Sequence, residues 1–379
     1  MTDHTWIATA ADLPLVAEAC RTAPWVALDS EANSMFVYRE QMCLLQINAG
    51  GHLIVVDMVA LLKEEGWDGS VPSRVLDPLK AELTRTDRPL WLHGGEYDCA
   101  LLKRDFGITP AGVWDTQQAA SLLGWPATGY GSVVEKLCGV LLAKAYTQYD
   151  WATRPLDPGA LQYALDDVVH LPQCAELLKT EIAAADLVEE HAIACQAVTE
   201  STSGAGFDPA GFWKIKGIRD LPKECHGVLA ALYTWRDGKA REANLPAGRI
   251  INNESLLIVA KYAPLSFQQL KKAGVKSWVL SDHGEALIEV IRNAKAEPPV
   301  VPEPPRRREV DDAEEDRETR LKDWRRAESE RRKVPLQVVL PAKAIEHLKR
   351  YGANDLSAVP QLGSKRIGLY GEKLIALCR

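Results

Sequence analysis

At 379 residues and 46% hydrophobic content, the chain is long enough for more than one buried core. No apolar run approaches the roughly 18 residues that span a bilayer, and the opening MTDHTWIATAADLP lacks the basic flank and apolar core of a signal peptide, so a cytoplasmic protein is expected. A net charge of −7 argues against a protein that coats nucleic acid by neutralising phosphates, but not against an enzyme that grips one strand end.

Strand signals come first. WVALDS and CLLQIN are short apolar runs, HLIVVDM is β-branched, and PLWLH is a fourth apolar run. The spacing then predicts a helix from Gly95 or Glu96 to about Phe106, ended by Gly107. Further helices are expected over Thr116–Leu123, Ser132–Leu137 and Pro158–Leu178. Strands followed by accumulating helices indicate an α/β domain, a mixed sheet flanked by helices. Eight dispersed cysteines without a C-x-x-C pair read as small buried hydrophobes rather than a disulfide framework or zinc site.

Near residue 210 the chain turns mostly helical. AEPPVVPEPPRRREVDDAEEDRE, rich in proline and charge, reads as an extended, mobile linker, with Arg306 to Arg308 as a solvated spacer. The helical regions on either side repeat one another at an offset of 89 residues, which pairs Trp235 with Trp324, Pro246 with Pro335, Gly274 with Gly363 and Lys276 with Lys365. Two small helical modules explain that register. The expected domains are therefore 1–208, 209–295, a flexible linker 296–315, and 316–379.

The chemistry lies in acidic side chains. Asp29 and Glu31 follow a buried strand, and residues two apart on a strand share a face. Paired anions repel unless a proton or a cation intervenes. A solvated D-x-E has the same spacing, so the pair alone does not select between the two. Asp98 falls just inside the helix after Gly94-Gly95, where an acidic residue also complements the helix dipole. Tyr163 and Asp167 are four apart on a helix and share a face, while Asp166 points about 100° away. Hard carboxylate oxygens suit Mg²⁺ or Mn²⁺, and two such ions can clamp a phosphodiester during in-line displacement. A phenol with a pKa of about 10 suits orienting a water better than deprotonating it.

In this order, D-x-E, H-x-x-x-x-D (His93 to Asp98) and Y-x-x-x-D resemble the tyrosine-containing branch of the DEDD exonuclease superfamily. KAYTQYDWATRPL and WDTQQAASLLG resemble segments of the ribonuclease D family, and the two helical repeats resemble HRDC domains. The resemblance implies a ribonuclease H-like exonuclease domain followed by two all-α HRDC-like domains. It implies a 3′→5′ exoribonuclease that trims tRNA precursors and other stable RNAs, releasing 5′-monophosphates. Asp29, Glu31 and Asp167 would hold the first of two ions; Asp29, with Asp98 contributing through water, would hold the second. Tyr163 would orient the nucleophile.

Substrate contacts are less determined. The family often has an aromatic residue directly after the first-motif glutamate. This chain has Ala32 and Asn33 there, leaving Phe36 or Tyr38 to stack on the terminal base. His93 would approach the terminal nucleotide, or serve as a hydrogen-bonded structural histidine. Trp151 and Arg154 would line the substrate path, or form a tryptophan packed under a loop and pinned by arginine. Gly363-Ser364-Lys365 would expose backbone N–H groups to phosphate, or simply join two helices. A DNA-directed exonuclease and a non-catalytic RNA-binding scaffold are the competing readings; parallel degradation of matched RNA and DNA strands separates the first, and binding without nucleotide release would reveal the second.

Overall fold

The structure, a computed structural model, describes residues 3–143, 145–204, 206–304 and 311–379. The Arg306–Arg308 spacer and Lys144 lie outside the described residues. The chain divides into two compact units: Met1–Ala32 with Met42–Ser203 and Glu309–Arg379, and Asn33–Gln41 with Gly204–Arg308.

In the first unit, β1 (Thr5–Ile7), β2 (Val26–Ala32), β3 (Met42–Ala49), β4 (His52–Asp57), β5 (Leu90–Leu92) and β6 (Val113–Asp115) form one mixed sheet of order β1-β4-β3-β2-β5-β6. β3 is antiparallel to both β2 and β4, while the β1–β4, β2–β5 and β5–β6 pairs are parallel. Among the described residues, the α-helices of the α/β part are α1 (Leu13–Thr22), α2 (Met58–Glu65), α3 (Asp77–Leu83), α4 (Glu96–Phe106), α5 (Thr116–Leu122), α6 (Tyr130–Cys138), α7 (Pro158–Val169), α8 (Leu171–Ala184) and α9 (Val188–Thr199).

All eight residues of β3 are buried, so both sheet faces are covered. Leu45 and Ile47 pack on one side with α1 to α4. Leu44 packs on the other with Ala160, Ala164, Leu165 and Val168 of α7. Each such Leu or Ile contributes about 1.5–3 kcal/mol. A one-residue slip of β3 would exchange the two faces and is strongly disfavoured.

The single helix expected over Pro158–Leu178 is two. Pro172 has no N–H to offer the Val168 carbonyl, and the break falls at His170. Asn48 of β3 supplies the missing donor, its Nδ2 lying 3.0 Å from Val168 O.

The second unit contains α10 (His226–Glu242), α11 (Ala247–Ile250), α12 (Asn253–Tyr262), α13 (Phe267–Lys272) and α14 (Ser277–Ala296) around its own apolar core. The second helical repeat contains α15 (Asp312–Arg332), α16 (Leu336–Val339), α17 (Ala342–Tyr351) and α18 (Gly363–Cys378). Shifting α11 and α12 by 89 residues reproduces the bounds of α16 and α17. The expected linker is shorter than 296–315. Val301 packs on the core of the second unit, Pro302 O accepts from Trp213 Nε1 at 3.0 Å, and α15 already begins at Asp312, capped by Asp311. Among the described residues, no helix is long and apolar enough to cross a membrane.

Candidate active site

β2 carries Asp29 and Glu31 on the sheet face that α7 covers, and α7 brings Asp167 to them. One ligand atom from each of the three carboxylates lies within 4.8 Å of the others. Two unit charges 4.8 Å apart repel by roughly 3.5 kcal/mol at an effective dielectric constant of about 20. The site shows this conflict. Burial, then Asp167 and Asp98, raise Glu31 to about 9, and burial with the Asp166 and Asp98 charges raises Asp167 to about 7. Asp29 is pushed well above the ordinary carboxylate range by burial and by its acidic neighbours.

Asp98 approaches from the first turn of α4. The Gly94-Gly95 turn permits this approach: Gly94 has φ +64, and a Cβ on Gly95 would lie 2.5 Å from Leu92 Cδ1. Asp98 is buried and stands outside the three-carboxylate cluster, its Oδ1 accepting from the Ser30 hydroxyl. Burial raises it to about 6, with the Ser30 bond acting in the opposite direction.

Tyr163 sits one helical turn before Asp167, and its ring lies 6.1 Å from both Trp151 and Tyr146. Burial and the charges of Asp167, Glu31 and Asp29 raise its phenol to about 12. Tyr163 and Asp167 border a cavity of about 260 Å³ that is also walled by Tyr130, Leu142, Ala143 and Thr147. Of these four, only Thr147 falls in a segment singled out in the sequence, KAYTQYDWATRPL. Asp166, beside Asp167, accepts from Gln162 Nε2 at 2.8 Å.

The remaining candidates have the following partners. His93 Nδ1 is 2.8 Å from the Thr116 hydroxyl, which itself donates to Leu92 O. Burial lowers His93 to about 4, so it is a neutral, anchored ring at pH 7. Arg154 makes the pinning contacts that are the alternative to lining a substrate path. Its Nε and Nη2 bind Asp57 at 2.8 and 2.6 Å, and Nη1 binds Trp151 O at 2.8 Å. Trp151 is 3% exposed, packed beneath Tyr149 and Tyr163.

Phe36 and Tyr38 belong to the second unit. The Arg249 guanidinium lies 5.5 Å from the Phe36 ring centroid, and the Tyr38 hydroxyl donates to Asp237 at 2.7 Å. The turn at Lys365, which the sequence allows as either a phosphate site or a plain helix-joining turn, is occupied by the chain's own carboxylates. Glu189 accepts from the Ser364 and Lys365 backbone N–H groups at 2.7 and 2.8 Å, and Lys365 Nζ pairs with Asp186 and Glu190 at 3.0 and 3.3 Å.

Asp115 belongs to the WDTQQAASLLG segment. It caps α5 by accepting from Gln117 N and Gln118 N, and its other oxygen accepts from Gly95 N at 2.8 Å. It thus fixes the start of α4 and, through it, Asp98. An aspartate directly before Thr-Gln-Gln is the sequence signal of such a cap.

A family model described as 3′-5′ exonuclease matches residues 4–183, and the HRDC domain model matches residues 226–291 and 314–378. Ribonuclease D of Gluconacetobacter diazotrophicus is 30% identical over 299 residues, 78% of this chain and 73% of that protein. Ribonuclease D of Granulibacter bethesdensis is 28% identical over 382 residues, 98% of this chain and 92% of that protein. The crystal structure of Escherichia coli RNase D, described as an exoribonuclease involved in structured RNA processing, matches with a TM-score of 0.72. That match is 26% identical and covers 99% of this chain and 98% of the other.

Proposed function

The chain belongs to the ribonuclease D family of 3′→5′ exoribonucleases, and we propose that it removes 5′-nucleoside monophosphates one at a time from RNA 3′ ends, with Asp29, Glu31, Asp98 and Asp167 holding two divalent ions, Mg²⁺ or Mn²⁺. The supporting observation is the convergence of three carboxylates from two distant segments to within 4.8 Å. An all-oxygen donor set fits a hard divalent cation. When bound, such ions neutralise the cluster and stabilise charge on the attacking and leaving oxygens.

The chain's own residues then have separable tasks. Asp29, Glu31 and Asp167 ionise to hold a cation. Asp98, buried and hydrogen-bonded by Ser30, contributes from beside the three-carboxylate cluster, through water. Tyr163, its phenol raised to about 12, stays protonated at neutral pH and positions the attacking water by hydrogen bonding. The cavity beside Asp167 receives the terminal nucleotide, with Tyr130 and Leu142 offering apolar surface to the base. Precursors of tRNA and other structured RNAs are the intended substrates.

The test uses 5′-labelled RNA with a free 3′ hydroxyl beside 3′-blocked and circular versions, each with and without chelator. A ladder shortening only from the free 3′ end, and only with metal, is expected. Cleavage of the circle, or turnover in excess chelator, would overturn the assignment. A matched DNA strand should be degraded more slowly.

A further inference from the structure

Asp29 has a cross-strand neighbour that the mechanism above does not use. In the β2–β3 ladder Asp29 stands directly opposite Gln46. Directly opposed residues of an antiparallel pair project to the same face with Cβ atoms about 4.5–5.5 Å apart. Gln46 is fully buried, and neither its Oε1 nor its Nε2 has a hydrogen-bond partner among the described residues.

Asn48, the next residue on that face of β3, provides the contrast. Its Nδ2 donates to Val168 O at 3.0 Å, and its Oδ1 accepts from Gly51 N at 2.9 Å. Asn48 thus has a structural task, whereas Gln46 has none. Leu44 and Val55 on the same face pack into the apolar layer under α7. A leucine at position 46 would fill similar space without stranding two polar atoms, so folding alone does not call for an amide there. The polar groups that β2 sets across from it are the carboxylates.

We propose that Gln46 is a positioning residue of the carboxylate centre: its side-chain N–H, unpartnered among the described residues, donates to the facing Asp29 carboxylate when a cation is bound and fixes it there. A cation uses one side of the Asp29 carboxylate, and an ionised carboxylate retains lone pairs for further donors. A neutral amide on the β3 side satisfies one of them without adding charge. It holds the carboxylate in place and meets its own unfilled donor. Outer partners of this kind orient metal-binding carboxylates and tune their affinity. The proposal rests on the carboxylate cluster being the metal centre.

The experiment measures Mn²⁺ binding by calorimetry in the absence of RNA, and melting temperature with and without Mn²⁺, for the parent chain, Gln46→Leu and Gln46→Met. The metal-free melting temperature of Gln46→Leu should equal or exceed that of the parent. Its Mn²⁺ affinity should fall about 10- to 100-fold. Turnover should be lost at low Mn²⁺ and regained at high Mn²⁺, with the KM for RNA unchanged. Gln46→Met, unbranched and of matching length, should behave alike and replaces the leucine variant if that one misfolds. Affinity within about twofold of the parent in a folded variant would overturn the role of Gln46 alone. So would a drop in metal-free melting temperature with affinity intact, which would mark a purely structural residue. A parent chain that binds no Mn²⁺ would overturn the metal centre, and this proposal with it.

Discussion

Asp167 stands where two demands conflict. In an unfolded chain a carboxyl ionises near about 4, whereas in the fold Asp167 is raised to about 7 and Glu31 to about 9, burial being the largest cause for both. Without a cation the folded state therefore holds protons that the unfolded state has released. The stability these groups contribute is complete below about 4 and is lost as pH rises through about 7 for Asp167 and about 9 for Glu31. A divalent ion binds the ionised form and reverses this trend. The metal-free melting temperature should fall between about pH 5.5 and about pH 8.5, and the rise produced by added Mn²⁺ should be larger at the upper value. Calorimetric scans showing no pH dependence in the metal-free protein would contradict the crowding of these carboxylates. The D-x-E pair and the Tyr163–Asp167 turn were legible because strand and helix periodicity fix which residues share a face. Arg154 pinning Trp151 is among the readings of the local sequence, whereas its partner Asp57, 97 residues away, leaves no local signal.

The break between α7 and α8 shows how one element is finished by another. Pro172 leaves the Val168 carbonyl without its helical donor, and Asn48 fills that vacancy from β3. Asn48→Ala should strand a buried carbonyl and cost about 1–3 kcal/mol in chemical denaturation. A loss below about 0.5 kcal/mol would mean that the sheet does not hold this helix junction. In the sequence, Pro158–Leu178 read as one helix because its apolar spacing continues across His170. Pro172 lies in the interior of that span, where proline ends or kinks a helix, and it is the sequence signal of the break that the continuing apolar spacing masks. Strands β1 and β6, three residues each, are too short to show alternation and are defined by their ladders with β4 and β5. The four longer apolar runs carried enough pattern to be read directly.

At the scale of the whole molecule, the second helical repeat belongs to the same compact unit as the exonuclease fold. Gln337 Nε2 donates to Ser121 O at 2.9 Å, Val338 packs with Ala119 and Leu122, and the start of α18 is seated on Glu189. The 89-residue repeat was legible because it is internal to the sequence. The docking was not, since Ser364 and its acceptor are 175 residues apart. The helix start does bind an anion, as the glycine turn suggested, but the anion is the protein's own carboxylate. Glu189→Ala should cost about 1–3 kcal/mol and accelerate hydrogen exchange in the first turn of α18. Unchanged exchange there would show that the carboxylate does not hold the repeat. The most direct test of the central claim is the single-turnover rate of Asp167→Asn on 5′-labelled RNA with a free 3′ hydroxyl and excess Mn²⁺. The isosteric amide keeps the packing of α7 and removes one cation-binding charge, so the rate should fall at least about a thousandfold in a folded protein. A rate within about tenfold of the parent would contradict the claim that these converging carboxylates perform the hydrolysis.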